Sequence, residues 1–252
     1  MSFRVVIPAR YDAARLPGKP LLDIGGKPML QHVHARAVES DALEVIIATD
    51  HDRIVEACRE FKADVRMTAA DHVSGTDRIA EVCQMEGWSA ADIIVNLQSD
   101  EPMMPPGLIQ QVARLLEDFD ETEMGTLACP VRSLDEFLDP HVVKVVLDAN
   151  DDALYFSRAP IPWERGAASA AEQHNYRDGL RHLGLYAYRV ATLLRLSSTP
   201  SCRLEEVEQL EQLRALYAGI RIRVGLTEEP PGPGVDTEDD LARVRACVND
   251  NL

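Results

Sequence analysis

The stretch "FRVVIPARYDAARLPGK", from Phe3 to Lys19, opens with an almost unbroken apolar run and continues into a loop. A run of Val and Ile without polar alternation is typical of a strand that is buried on both faces of a parallel sheet. Comparable runs follow as EVIIAT (44–49), ADVRM (63–67) and DIIVNL (92–97), and helical patterns separate them. This alternation predicts an α/β fold in which helices cover both faces of one doubly wound sheet.

The pattern changes after about residue 124, where strand-like segments follow one another with fewer helices between them. These segments read GTLACPV (125–131), HVVKVVLD (141–148), ALYFS (153–157) and HLGLYAY (182–188). They predict a mixed or antiparallel sheet, which we expect to form a lobe beside the first half.

Two helices are predicted in the last fifth of the chain. Residues 204–217 carry apolar residues at helical spacing and predict one continuous helix, whose inner face would hold Leu204, Val207, Leu210, Leu213 and Tyr217. A final helix is predicted near Thr237 and Asp240, because these two residues have the spacing of a capping box.

The composition is that of an ordinary globular protein, with 252 residues, 46% hydrophobic and 27% charged. No apolar run approaches the roughly 20 residues of a membrane span, and the first residues lack a signal-peptide layout, so we expect a cytoplasmic protein without a membrane partner. The formal charge of -16 argues against a nucleic-acid partner, since phosphate backbones need a broad basic surface. The five cysteines form no CxxC pair, which speaks against a zinc site or a disulfide framework.

Positive charge is nevertheless concentrated after the first strand. Between Arg4 and Lys19 there are four basic residues and one acid, Asp12. Open parallel sheets bind ligands beyond the carboxyl ends of their strands, which is where Arg10, Arg15 and Lys19 would lie. The loop lacks both the Walker A pattern and GxGxxG, so it predicts a phosphate-sized anion site of another kind. The alternative is solvated surface charge.

Two carboxylates are candidates for a magnesium site facing that loop. Asp100 follows the predicted strand DIIVNL, and Asp236 precedes the last helix. Magnesium is commonly held by one or two carboxylates together with substrate phosphates. Asp100 is equally explained as a turn residue, together with Glu101, and Asp236 as a charge favoured by the helix dipole.

The segment RHLGLYAY predicts a strand with two different faces. His182, Gly184, Tyr186 and Tyr188 would share one face, and Leu183, Leu185 and Ala187 the other. The first face offers hydrogen-bonding groups around a glycine gap, which suits a polar sugar or acid, although a lone His or Tyr on a strand is more often structural.

Motifs in order along nearly the whole chain resemble those of the 3-deoxy-manno-octulosonate cytidylyltransferase family. They include IPARYDAARLPGKPL, DHVSGTDR, VNLQSDEP, VKVVLD, ALYFSRAPIPW, RHLGLYAY, LEQLRAL and GVDTEDDL. The resemblance implies a Rossmann-like nucleotidyltransferase sheet with helices on both faces and a smaller mixed-sheet dimerisation lobe. It implies one nucleotidyltransferase domain over residues 1–252, with about 130–200 forming much of the smaller lobe, which also binds the sugar.

The resemblance also implies a reaction: CTP and 3-deoxy-manno-octulosonate give the CMP-sugar and pyrophosphate with Mg2+, in a homodimer that serves lipopolysaccharide synthesis. The implied catalytic residues are Lys19, Asp100, Asp236 and Arg15, of which Asp100 and Asp236 bind the metal. The implied nucleotide-binding residues are Pro8, Ala9, Arg10, Arg15, Lys19, Asp71, Ser74, Gly75, Thr76 and Gln98. The implied sugar-binding residues are Gln98, Arg158, His182, Tyr186, Glu211 and Gln212, with Arg158 as a candidate partner of the sugar carboxylate.

The chain departs from this family at two places. Ser99 stands where the family usually has Gly, and Asp12-Ala13-Ala14 stands where Ala-Ser-Thr is common. Alternatives therefore stay open: a cytidylyltransferase for a related sugar acid, such as an amino analogue or sialic acid, or a non-catalytic CTP-binding regulator. A dinucleotide oxidoreductase is the least favoured reading.

Overall fold

The computed structural model describes residues 2–12, 16–119, 121–166, 175–228 and 230–249. The strands are β1 (Phe3–Ala9), β2 (Asp23–Ile24), β3 (Lys27–Pro28), β4 (Glu44–Thr49), β5 (Asp64–Met67), β6 (Ile93–Asn96), β7 (Met124–Pro130), β8 (Lys144–Leu147), β9 (Ala153–Ser157), β10 (Leu180–Arg189) and β11 (Ile222–Leu226). The α-helices are α1 (Met29–Val38), α2 (Asp52–Glu60), α3 (Gly75–Glu86), α4 (Pro106–Glu117), α5 (Leu134–Leu138), α6 (Val190–Ser197), α7 (Arg203–Glu208), α8 (Gln212–Tyr217) and α9 (Glu238–Asn249).

The central sheet has the strand order β11-β7-β10-β6-β1-β4-β5. Strands β6, β1, β4 and β5 run parallel, with Val5 of β1 opposite Val45 on one side and Val95 on the other. Strand β10 runs antiparallel to both of its neighbours, β6 and β7. The predicted parallel sheet is therefore confirmed, and one reversed strand is inserted into it.

Helices cover both faces of this sheet, as the apolar patterns predict. One buried cluster joins the sheet to α1, α2 and α4, and a second joins it to α3, α6 and α8. Strand β10 is shared by the two, because Leu183, Leu185 and Ala187 lie in the first cluster while Tyr186 and Tyr188 lie in the second. The predicted division of this strand into two faces is confirmed. None of the described helices combines the length and apolarity that a membrane crossing requires.

The second half of the chain contributes to the same sheet rather than to a separate one. Strands β7, β10 and β11 extend the central order, and the antiparallel pair β8–β9 branches from the start of β10. Strand β8 lies beside Leu180 and Arg181, whereas β6 takes the place beside β10 from Tyr186 onwards. An irregularity in register between Leu183 and Tyr186 marks the change of neighbour.

The prediction of one helix over residues 204–217 is wrong. Gln209 has a φ of 53°, a left-handed conformation that ends α7, and α8 begins at Gln212. Of the five residues predicted to face inward, only Leu210 and Leu213 are buried, while Leu204, Val207 and Tyr217 are 43%, 62% and 74% exposed. The break reorients α7, so its apolar side faces away from the core.

The capping box predicted at Thr237 and Asp240 is present, and α3 has one as well. At α3 the Ser74 hydroxyl accepts from the Asp77 amide at 3.1 Å, and the Asp77 carboxylate accepts from the Ser74 amide at 3.1 Å. At α9 the Thr237 hydroxyl accepts from the Asp240 amide at 3.2 Å. Each such cap is worth about 1 kcal/mol of helix stability.

Candidate active site

Two cavities open near the carboxyl ends of β1 and β6. The smaller has a volume of about 210 Å³ and is lined by Pro8, Arg10, Asp12, Lys19, Pro20, Gly75, Gln98, Ser99 and Asp100. The larger has a volume of about 800 Å³ and lies against β10, the loop before α8 and the segment before α9. Gln98 and Asp100 line both cavities, so the two join at the end of β6. The site lies where the strand order predicts a ligand in an open α/β sheet.

Lys19 is placed at this junction by a tight turn. Gly18 has a φ of 69°, which favours glycine, and its amide donates to the Tyr11 carbonyl at 2.9 Å. The chain then enters a short 3-10 helix at Lys19. The Lys19 ammonium donates to Asp100 Oδ2 at 2.7 Å and to Asp236 Oδ1 at 3.0 Å. The three residues singled out from distant parts of the sequence thus meet at one point.

The charge of Lys19 is secured by the two carboxylates. Burial by itself lowers the pKa of this lysine, but Asp100 and Asp236 outweigh that effect, and the pKa is raised above its ordinary value. Lys19 is therefore a permanent cation at neutral pH, which suits a group that faces an anionic ligand.

Asp236 is held at the junction of the two cavities by a third, smaller hydrophobic cluster. The Val235 amide donates to the Asp100 carbonyl at 2.9 Å. Val235 is buried in a cluster with α9 and the N-terminal loop, whose members are Leu16, Ile24, Met29, Val235, Leu241 and Val244. The last helix and the loop before Lys19 therefore share one packing unit, which fixes the two carboxylates and the lysine relative to each other.

The smaller cavity collects half of the residues predicted for the nucleotide. Pro8, Arg10, Lys19, Gly75 and Gln98 line it. The other described residues lie around it: Ala9 and Thr76 are buried, Ser74 caps α3, and Asp71 is exposed in the turn before that helix. The guanidinium of Arg10 donates to the His72 carbonyl at 2.6 Å. Arg15 lies outside the described residues.

The larger cavity collects most of the residues predicted for the sugar acid. Gln98, His182, Tyr186, Glu211 and Gln212 line it. Arg158 does not, because its guanidinium donates to the carbonyls of Pro140, Glu208 and Gln209. The structure thus brings five of the six predicted residues together and leaves the sixth outside the cavity lining.

Burial controls the ionisation of two residues in the larger cavity. His182 lies 2.9 Å from the Thr126 hydroxyl, and burial lowers the pKa of its imidazole to about 3. Burial also raises the pKa of Glu211, although the nearby Thr76 hydroxyl and Arg214 guanidinium offset part of this effect. His182 is consequently neutral at physiological pH and acts as a hydrogen-bonding group rather than as a cation.

The lowered pKa of His182 predicts a measurable loss of stability in acid. Below its unfolded pKa of about 6.5 the imidazole takes up a proton in the unfolded chain but not in the fold, so the free energy of unfolding decreases as the pH falls towards 3. Replacing His182→Gln should therefore make the free energy of unfolding less steeply dependent on pH in this range, by up to about 1.4 kcal/mol per pH unit. Urea unfolding of both proteins between about pH 6.5 and pH 4 measures the difference. Parallel curves would show that His182 is not neutral in the folded protein.

Several lining residues were not predicted from the sequence. Glu101, Arg181 and Arg243 also line the larger cavity. Burial and the neighbouring Asp100 raise the pKa of Glu101 to about 8, and its Oε2 is buried without a hydrogen-bond partner. Arg181 pairs with Glu136 at 3.2 Å. The only sequence signal for two of these residues was their position beside a predicted site residue: Glu101 follows Asp100, and Arg181 precedes His182.

The departures from the family pattern fall at the smaller cavity. Ser99 lines it and is not among the described residues with positive φ, so the backbone here does not require glycine. Asp12 lines it as well and adds a negative charge beside Lys19. Ala13 and Ala14 lie outside the described residues.

The donor set at the junction fits a hard cation. The described part of the chain contains no cluster of three or more His, Cys, Asp or Glu side chains arranged to hold a metal ion. It does contain two carboxylates, Asp100 and Asp236, that reach the same ammonium group. Two carboxylate donors, with the remaining positions left to phosphate and water, match the usual coordination of magnesium.

Comparison with known proteins agrees with this geometry. A family model described as cytidylyltransferase matches residues 4–222. The 3-deoxy-manno-octulosonate cytidylyltransferase of Thioalkalivibrio sulfidiphilus is 53% identical over 98% of this chain and 99% of its own length. That of Coxiella burnetii is 49% identical, with the same coverage.

Two solved structures show the same fold. A CMP:2-keto-3-deoxy-manno-octonic acid synthetase, solved in complex with CTP, superposes with a TM-score of 0.90 at 44% identity and covers 100% of this chain and 99% of its own. A cytidylyltransferase from Leptospira borgpetersenii has a TM-score of 0.63 at 15% identity over 100% of this chain and 87% of its own, which supports the fold alone. The chain belongs to the 3-deoxy-manno-octulosonate cytidylyltransferase family.

Proposed function

We propose that this protein transfers CMP from CTP to the anomeric hydroxyl of 3-deoxy-manno-octulosonate and releases pyrophosphate. One observation carries the proposal. A cavity lined by a lysine and an arginine adjoins a larger polar cavity, and the two meet at Gln98 and Asp100. A nucleotide in the first and a sugar acid in the second would present their reacting atoms to each other at that junction.

The nucleotide is assigned to the smaller cavity. Lys19 and Arg10 would face the triphosphate, and Arg15 of the same loop is proposed as a further phosphate contact. Pro8 and Gly75 also line this cavity, and the base and ribose are assigned to their side of it. A Cβ at Gly75 would approach the Pro8 ring at 3.2 Å, so the glycine keeps this wall open. Ala9, Asp71, Ser74 and Thr76 are proposed to complete the base and ribose site.

The sugar acid is assigned to the larger cavity. His182, Tyr186, Glu211, Gln212 and Gln98 offer it neutral and anionic hydrogen-bonding groups that suit several hydroxyls. Six Asp and Glu residues line the cavity, and Arg181 and Arg243 line it with them. The many hydrogen-bonding groups suit a ligand with several hydroxyls, and the two arginines are the lining cations available to a carboxylate.

The reaction we propose is an in-line displacement. The anomeric oxygen forms a bond to the α-phosphorus, the bond from that phosphorus to the bridging oxygen breaks, and pyrophosphate leaves. The hydroxyl proton passes to water or to a nearby carboxylate. Lys19 would neutralise charge on the phosphates, and Gln98, at the junction, would orient the attacking hydroxyl. Positioning and charge neutralisation supply most of the rate in phosphoryl transfers.

Magnesium is proposed as the cofactor, held by Asp100 and Asp236. When bound, it would neutralise phosphate charge and lower the pKa of the attacking hydroxyl. The two carboxylates are held close to Lys19, so the ammonium and the metal would share them.

The proposal is tested by mixing the protein with CTP, magnesium and a panel of sugar acids and measuring pyrophosphate. The panel contains 3-deoxy-manno-octulosonate, its amino analogue and a sialic acid, and reactions without acceptor are the control. We expect the highest kcat/KM with 3-deoxy-manno-octulosonate. A higher value with another acid would reassign the acceptor, and tight CTP binding without pyrophosphate would favour a non-catalytic regulator.

We also propose that the protein is a cytoplasmic homodimer in the route to lipopolysaccharide, with residues about 130–200 forming much of the dimerisation lobe of a single domain over 1–252. Exposed apolar side chains on three adjoining elements support a dimer. They are Leu154 of β9, Leu204 and Val207 of α7 and Tyr217 of α8. Patches of this kind on a soluble protein commonly mark interfaces.

The dimer predicts that a charge in this surface separates the subunits. Val207→Glu should give a folded monomer by sedimentation velocity. Val38→Glu, at another exposed position on α1, should leave the parent's state unchanged. A parent that sediments as a monomer at micromolar concentration would reject the homodimer.

A further inference from the structure

A fully buried lysine lies behind the larger cavity. Lys144 of β8 is 0% exposed and has no carboxylate partner in the described structure. Its ammonium donates to three backbone carbonyls: those of Asp139 at 2.8 Å, Val142 at 2.5 Å and Arg158 at 2.8 Å. Burying an unpaired cation is costly unless its donors are satisfied, so these three bonds are structurally important.

Two of those carbonyls belong to a wall of the cavity. Asp139, His141, Val142 and Val143 line it. The third carbonyl, that of Arg158, ties this wall to the end of β9. Lys144 thus holds a loop that has no regular structure of its own between α5 and β8.

Arg158 extends the same connection to the opposite wall. Its guanidinium donates to the Pro140 carbonyl at 2.9 Å, to the Glu208 carbonyl at 2.6 Å and to the Gln209 carbonyl at 3.4 Å. The Glu208 carboxylate accepts in return from the Arg158 amide at 2.9 Å. Glu208 and Gln209 form the break between α7 and α8, and an arginine that bonds the last carbonyls of a helix stabilises its end.

That break determines where two of the proposed sugar-binding residues lie. Glu211 and Gln212 follow it directly and line the cavity. If residues 203–217 formed one continuous helix, Leu204 and Val207 would lie on its inner face, whereas both are exposed in the structure. Arg158 therefore contacts the backbone of both walls. On one side it bonds Glu208 and Gln209, which precede Glu211 and Gln212, and on the other it bonds Pro140.

We propose that Lys144 and Arg158 form a brace behind the sugar cavity, in which each is a positioning residue that holds the two walls at a fixed separation. The proposal rests on the proposed function for the identity of the ligand, but the brace itself is a property of the protein alone. It gives Arg158 a different role from direct contact with the sugar carboxylate. The brace acts on Glu211, Gln212 and the 139–143 wall, and not on the nucleotide cavity.

The test compares Arg158→Lys and Lys144→Met with a matched control, Arg189→Lys. Arg189 also donates to three carbonyls, those of Leu116, Thr122 and Ala91, but lies outside the larger cavity. For both brace variants we expect the KM for the sugar acid to rise roughly tenfold, about the loss of one hydrogen bond to a charged group. The affinity for CTP and the kinetics of the control should stay within about twofold of the parent.

A second kinetic readout separates positioning from direct contact. The parent and Arg158→Lys are assayed with the sugar acid and with its carboxamide. A positioning residue predicts that both acceptors lose the same factor, so that their ratio is unchanged. A ratio that collapses in Arg158→Lys would assign Arg158 to the carboxylate and overturn the brace.

Hydrogen exchange without substrate tests the brace independently of the reaction. The Val142 amide, bonded to the Asp139 carbonyl, and the Leu213 amide, bonded to the Leu210 carbonyl, report on the two walls. Both should exchange faster in Arg158→Lys, whereas the control should not change them. Unchanged exchange at both amides would overturn the brace, even if Lys144→Met fails to fold. A parent that makes no pyrophosphate would reject the proposed function and leave this readout intact.

Discussion

Replacing Asp100→Asn is expected to reduce kcat by roughly 100- to 1000-fold while the fold is retained. The substitution keeps the shape of the side chain but removes one of the two carboxylates that meet at Lys19. The amide cannot share a magnesium ion with Asp236 on equal terms, because its oxygen carries no formal charge. We also expect the magnesium concentration for half-maximal rate to rise, which separates the metal role from a turn role for Asp100.

The control for this variant is Asp118→Asn, an exposed carboxylate at the end of α4. It should leave both kcat and the magnesium dependence at parent values. Circular dichroism and the unfolding temperature of both variants check the fold. Near-parent turnover by Asp100→Asn would remove this residue from the metal site and return it to the turn role that its position equally allows.

Replacing Lys19→Met is expected to lower kcat/KM by at least about 100-fold. The variant loses the only described lysine in the lining of either cavity and leaves Asp100 and Asp236 facing each other without their cation. Lys27→Met, on an exposed position of β3, is the matched control and should keep the parent rate.

The pH dependence of this effect is fixed by the raised pKa of Lys19. A lysine whose folded pKa lies above its ordinary value stays charged until the pH rises past about 10.5. The ratio of parent to Lys19→Met activity should therefore be the same at about pH 7 and about pH 9. A ratio that falls in this interval would mean that the lysine loses its proton there, and that its charge is not secured by the two carboxylates.

Much of the fold could be predicted because parallel, doubly covered strands have an unambiguous sequence pattern. The runs that contain Val5, Ile46 and Ile94 have consecutive apolar residues at their centres, and all three residues are fully buried. Because these strands are parallel, their carboxyl ends lie at one edge of the sheet. The sequence could therefore predict that Lys19 and Asp100 lie close together. Asp236 was a weaker candidate from the sequence alone, since its position depends on a core formed by α9 and Leu16.

The remaining features depend on tertiary contacts that local patterns do not encode. Gln209 interrupts an apolar periodicity that continues on both sides of it, and its carbonyl accepts from Arg158, some 51 residues away in sequence. The family resemblance implies that the same arginine binds the sugar carboxylate, yet backbone carbonyls accept from its guanidinium. The sequence does not predict Glu101 as a lining residue, because a second carboxylate after Asp100 is ordinary in a turn. Only its burial in the structure distinguishes it from a solvated turn residue.

The most direct test of the account is a crystal structure of the protein with CTP and magnesium. We expect the triphosphate to lie in the smaller cavity, with its α-phosphorus beside Lys19 and Asp100 and its base near Pro8 and Gly75. CTP found in the larger cavity, or bound away from both Lys19 and Asp100, would contradict it.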